Sequence, residues 1–213
     1  MSHSTVLVIG PADEEALEHV LAPFDEELAV PRYIKATKAD QIWKRRERLA
    51  YATECYAKYV IKEPPYDNVL HVNPSHIEWI TKTAPAENRL DDEALWEVIL
   101  TEDDDEDRDD EGNLWSTYNP NSKWDWFVVG GRWDGVYPLR NGNQGLAEDL
   151  FQDGVEPTFA VLDQKGQWHE RGHMGWWALV SDEMDEQAWN TKWWEIVKAA
   201  DPKTPVWLVD VHI

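Results

Sequence analysis

The alternation of apolar and polar positions divides the chain into short strand-like runs and a few amphipathic helices. Thr5 to Ile9 is a β-branched, apolar run that predicts a buried strand, and Gly10-Pro11 ends it. Asp13 stands where a helix needs an N-cap, and Ala16, Leu17, Val20 and Leu21 then recur on one helical face until Pro23. A longer helix is expected from a cap at Asp40 to about Ile61. Its stripe runs through Ile42, Leu49, Ala50, Thr53, Tyr56, Ala57 and Val60, and Pro64-Pro65 stops it. Ser75 to Lys82 reads as a short helical piece. Asp91 or Asp92 caps another helix, with Ala94, Leu95, Val98 and Ile99 inward.

In the second half, Trp124 to Val129 predicts a strand, with Val136 to Leu139 as its candidate partner. Thr158 to Leu162 and the stretch from Trp168 flank Asp-Gln-Lys-Gly, a hairpin connection. Trp176 to Val180 reads as a further strand, and Asp182 as the cap of a helix burying Ala188, Trp189, Trp193, Ile196 and Val197. Pro205 opens a last strand, Val206 to Val211. Strands joined by hairpins, with helices in blocks, predict a single α+β domain over residues 1–213, built on a largely antiparallel sheet covered by helices. The regular β-α alternation of a doubly wound nucleotide fold is missing through the middle.

Composition narrows the setting. The chain of 213 residues has 42% hydrophobic residues, enough for a core without staples. The single cysteine, Cys55, excludes an intrachain disulfide and falls among helical apolar neighbours, which favours a small buried hydrophobe over a nucleophile. No stretch is long and apolar enough to span a bilayer, and the first residues lack the basic start of a signal peptide, so a cytoplasmic location is expected.

The formal net charge is −22, of which −8 sits between Glu102 and Glu111. This run predicts an exposed acidic loop at residues 101–113, and the whole chain should repel nucleic acid and anionic membranes. The sharper reading of the acidity is a protein-protein inhibitor that imitates the charge of DNA before a host enzyme. Arg32 to Lys62 is the one basic region, with nine basic residues against three acids.

Three motifs carry candidate chemistry. His169-Glu-Arg-Gly-His173 matches the spacing of zinc peptidases, where a helix puts both imidazoles on one face. Here Gly166, Gly172 and Gly175 surround it and Trp168 favours a strand, so a metal-dependent hydrolase is the weakest of the alternatives and no metal or other cofactor is expected. Asp107-x-Asp109-x-Glu111-Gly112 imitates half of a calcium loop, but Tyr118 stands where the bidentate acid belongs.

The third motif is Tyr118-Asn-Pro-Asn-Ser-Lys-Trp-Asp-Trp-Phe-Val-Val-Gly-Gly-Arg-Trp-Asp134. Aromatic, charged and glycine residues coincide there. Lys123, Trp124, Asp125, Trp126, Arg132 and Trp133 are the expected ligand-binding residues, suited to stacking and hydrogen-bonding a base or sugar ring. Trp124 and Trp126 should share one strand face, with Asp125 on the other. The competing reading makes the tryptophans core and Asp125–Arg132 a structural ion pair. Glu170, Asp210 and His212 form a possible secondary site, since a carboxylate beside an imidazole is a common catalytic device.

That motif, with Ala22-Pro-Phe-Asp-Glu26, Glu170-Arg-Gly-His-Met-Gly-Trp-Trp177 and the terminal Val209-Asp-Val-His-Ile213, resembles an uncharacterised family of bacteriophage and prophage proteins. The pieces span nearly the whole chain. The resemblance implies an accessory protein acting in an infected bacterial cell, on host defence or host metabolism. It implies no chemistry, and the family's version of the glycine-flanked stretch carries no histidine at the places of His169 and His173.

Overall fold

The computed structural model describes residues 2–61, 73–102, 107–174 and 180–213. In chain order the elements are β1 (His3–Ile9), α1 (Glu14–Leu21), β2 (Tyr33–Ala36), α2 (Lys38–Cys55), α3 (Pro74–Glu78), α4 (Ala84–Glu87), α5 (Asp92–Glu102) and β3 (Leu114–Ser116). They continue with β4 (Trp126–Val129), β5 (Gln144–Leu146), β6 (Ala160–Leu162), β7 (Trp168–Glu170), β8 (His173–Met174), β9 (Val180–Ser181), α6 (Glu186–Ala199) and β10 (Pro205–His212). The α+β class with a largely antiparallel sheet is as expected: among the strand pairs of the described residues, only β1 and β6 run parallel. The expected single domain takes the form of two compact units. Unit 1 is Met1–Val30 with Tyr118–Ile213, and unit 2 is Pro31–Thr117.

Unit 1 is built on a sheet of order β4-β10-β1-β6-β7, with β5 also paired to β10. The two long strands, β1 and β10, are interior to it, and the second half of β1 and nearly all of β10 are buried on both faces. Successive side chains alternate between faces. Val6 and Val8 with Val209 and Val211 pack toward Leu17 and Leu21 of α1, while Leu7 and Ile9 with Val206 and Leu208 pack toward Trp189, Trp193 and Val197 of α6. The last strand therefore does not lie at the sheet edge, as a chain end often does; it pairs with β1 along its length.

Buried indoles need partners for their N–H groups. Thr158 supplies two: its carbonyl accepts from Trp189 Nε1 at 2.9 Å, and its hydroxyl accepts from Trp193 Nε1 at 2.9 Å. The Pro11 carbonyl accepts from Trp207 Nε1 at 2.9 Å. Tyr137, also in this core, donates to the Glu156 carbonyl, and burial pushes its hydroxyl above the usual tyrosine range.

Several sequence expectations change in detail. Thr37, not Asp40, caps α2: its hydroxyl accepts from Asp40 N at 3.1 Å and the Asp40 carboxylate accepts from Thr37 N at 2.9 Å, a reciprocal capping box. Asp185 caps α6 in place of Asp182, which sits in a turn at φ +51°. Val136 to Leu139 does not pair with β4, whose strand partner among the described residues is β10; Tyr137 and Leu139 instead fill the core. The hairpin around Asp163 forms as expected, with β6 and β7 antiparallel. Pro64-Pro65 and most of the strand expected at Trp176 to Val180 lie outside the described residues. No helix among the described residues is long and apolar enough to cross a membrane.

In unit 2, α2 packs against α4 and α5 around Leu49, Ala52, Cys55, Ile80, Ala84 and Leu95. The basic run of α2 is largely internal wiring. Arg45 is buried and donates to Glu87 at 2.7 Å and to Glu102 at 2.9 Å, and Arg46 donates to Asp92 at 2.7 Å. Within the expected acidic loop, residues 103–106 lie outside the described residues. The remainder is hydrogen-bonded: Asp107 accepts from Arg32 at 2.8 Å, and Asp109 accepts from Trp115 Nε1 at 2.8 Å and from Asn113 N at 2.8 Å. The indole N–H of Trp115 and then Asn113 hold the Asp109 carboxyl down at about 2. The half calcium motif is thus a turn in which the Asp107 and Asp109 carboxylates face protein donors.

Candidate functional site

Four separated segments of unit 1 meet at one end of the sheet. Buried Asn119 donates from Nδ2 to the carbonyls of Pro23 (2.8 Å) and Asp25 (2.9 Å), pinning the chain after α1. Lys123 N donates to the Phe24 carbonyl at 2.8 Å, and Glu26 N to the Trp124 carbonyl at 2.8 Å. The Asn-Pro-Asn turn is thereby stitched to residues 22–26, which lie almost a hundred positions away in the chain. Residues from β7, β8 and the chain end complete the enclosure.

The result is a cavity of about 270 Å³ on the α1 side of the sheet. Its aromatic walls are Tyr118, Trp124, Phe159 and Trp168, and its polar groups are Ser4, Glu26, Ser122, Lys123, Glu170 and His173. Lys123 Nζ donates to Glu170 Oε1 at 2.7 Å, and Trp168 Nε1 donates to Glu170 Oε2 at 3.0 Å, so the glutamate is oriented from two sides. His173 Nδ1 lies 3.7 Å from the same carboxylate, and Ser122 Oγ bonds the Tyr118 hydroxyl at 2.8 Å. Trp124 is 8% exposed, and its Nε1 is buried without a hydrogen-bond partner among the described residues. Such an orphaned donor costs about 1–3 kcal/mol unless something accepts from it. Met174 and Ile213 close the wall.

The other expected residues stand on the opposite face. Trp124 and Trp126 do not share a strand face, because β4 begins only at Trp126 and the chain bends before it. Trp124 turns into the α1-side core, its ring 5.2 Å from Phe127. Trp126 stacks on His212 at 5.1 Å and 13° between planes. His212 Nδ1 lies 2.6 Å from Asp125 Oδ1, so Asp125 pairs with histidine and not with arginine. Arg132 is exposed, and its guanidinium has no partner among the described residues; only its backbone N–H is engaged, donating to Asp210 Oδ2 at 3.0 Å. Trp133 packs on the α6-side core.

Asp210 is the hub of this second cluster. Its other oxygen is 2.9 Å from His3 Nδ1, and the His3 ring meets those of Trp126 and His212 edge-on at 5.3 and 5.1 Å. A Cβ at Gly131 (φ +56°) would lie 2.4 Å from Asp210 Oδ2, which is why glycine follows glycine at this turn. His3 was invisible to sequence reasoning: its only signal is the register that puts it opposite His212, and strand pairing across the whole chain leaves no local trace.

The HExxH-like stretch spans β7 and β8 rather than a helix. His169 turns to Asp163 (3.0 Å) beside Ile196 and Ala199 of α6, whereas His173 faces the cavity on the other side. The two imidazoles therefore do not share a face, and no group of three metal-ligating residues occurs among the described residues. No family model matches the chain, and no curated protein or solved structure matches it either.

Proposed function

We propose that the protein is a phage accessory protein that binds a small, uncharged, ring-bearing ligand, sugar-like or nucleoside-like, in the unit 1 cavity, within the cytoplasm of the infected host. The observation that carries this reading is the convergence on one cavity of aromatic walls, an oriented Lys123–Glu170 pair and the orphaned Trp124 indole N–H. Aromatic faces stack a ring, while the lysine, glutamate, serines and indole offer donors and acceptors to its substituents.

Charge selects among ring ligands. Lys123 and Glu170 cancel, and Glu26 adds a negative charge on the lining. A phosphate would meet no uncompensated cation there, so a neutral ring is favoured over its phosphorylated form. The phage setting rests on the resemblance of the motif segments, all four of which contribute residues to the cavity lining.

A thermal-shift screen of monosaccharides, disaccharides and nucleosides beside their phosphates tests the reading. The expected outcome is stabilisation by a neutral member, reduced for its phosphate and abolished by Glu170→Gln combined with Lys123→Met. Arg132→Ala should leave the shift intact, since that side chain does not line the cavity. A ligand shift indifferent to the double substitution would place binding elsewhere.

A further inference from the structure

Unit 2 contains a cavity of its own, of about 460 Å³. Its floor is aliphatic: Leu49 and Ala52 of α2, Ile80, and Ala84 of α4 are all within 3% of complete burial. Its rim is polar, with Thr53, Thr81, Asn88 and Arg89. Thr81 donates its hydroxyl proton to the Ile77 carbonyl at 2.7 Å, so it has no donor left for a carboxylate. The guanidinium of Arg89 and the carboxamide of Asn88 have no partner among the described residues. Both side chains are exposed at the mouth of the cavity, whereas the neighbouring Arg45 and Arg46 are held by acids.

A second observation points the same way. The helical backbone widens into π-helical turns at Tyr56–Ile61 and at Trp79–Thr83. Tyr56 from the first, and Ile80 and Thr81 from the second, line this cavity. π-helical turns are rare, and they are frequently found at functional sites. Two of them bordering one cavity mark it as more than an imperfection of packing.

We propose that this cavity binds a small monocarboxylate with an apolar body. The carboxylate sits on Arg89 and Asn88, and the body lies along Leu49, Ala52 and Ile80. One guanidinium and one carboxamide offer a forked set of donors suited to a planar carboxylate. Among the described residues no lysine or second arginine lines the cavity, which suits a single negative charge. The volume lies within the range of small-molecule sites, about 300–1,000 Å³. This site is independent of the unit 1 reading, and either can fail alone.

Titration calorimetry with octanoate, and with 1-octanol as the uncharged control, tests it on the full chain. Octanoate should bind saturably at one site, 1-octanol at least tenfold more weakly, and Arg89→Ala should weaken octanoate at least tenfold with an unchanged melting temperature. Arg89→Lys should recover part of the loss. No binding of octanoate, equal binding of the alcohol, or undiminished binding to Arg89→Ala would each overturn the proposal.

Discussion

Gly131 and Gly142 both hold positive φ, at +56° and +75°, yet they answer to different demands. A Cβ at Gly142 would meet nothing within 4 Å, whereas one at Gly131 would press on Asp210 and Val128. Gly142→Ala therefore carries only the left-handed backbone penalty, about 1–2 kcal/mol. Gly131→Ala adds a clash with a buried carboxylate that already holds His3 and the Arg132 N–H. Urea denaturation should show the larger loss for Gly131→Ala, and equal losses would mean that the Asp210 cluster yields at no cost. The residue that demands glycine at position 131 is 79 positions away on β10, out of reach of any local sequence signal.

At the scale of elements, local signals served where the cause was local. Asp13 caps α1 by accepting from Ala16 N at 2.9 Å, as its place before an amphipathic run implied. The start of α2 was misread by a few residues because both members of a capping box are good caps in isolation. Geometry assigns Thr37 the cap and Asp40 the third helical position. Thr37→Ala is expected to cost about 1 kcal/mol, the usual value of a side-chain cap. Hydrogen exchange should show the loss concentrated in the first turn of α2, and unchanged exchange there would contradict the cap's role.

The whole molecule carries its acidity as paired charge where structure demands it. In unit 1, Arg140 grips Asp149 (2.8 Å), and this pairing, with the Leu146 N–H, holds the Asp149 carboxyl at about 2. In unit 2, Asp109 is held at about 2 by Trp115 and Asn113. Each carboxyl starts from 3.8 in the unfolded chain. A folded value below the unfolded one means the stabilisation is complete above about pH 4 and is lost as pH falls toward 2. Stability measured by denaturant from pH 5 to pH 2 should therefore decline over that window, and Asp149→Asn should flatten part of the decline. The remaining unpaired negative charge repels itself, so added salt at pH 7 should stabilise the fold; a salt-independent midpoint would refute that.

The sequence by itself determined most element types, the α+β class and the buried strand at Thr5 to Ile9, and it singled out Tyr118 to Asp134, because each depends on periodicity, caps and turn chemistry within a few residues. Only the tertiary structure decided how that last stretch is used. One bend before β4 sends Trp124 with Lys123 to the α1 side and Trp126 with Asp125 to the other face. Glu170 joins the first group, and His3 and Asp210 join the second, through pairings that run between the ends and the middle of the chain. Such long-range register follows from the joint burial of two sheet faces, a property of the folded whole and not of any local run of residues.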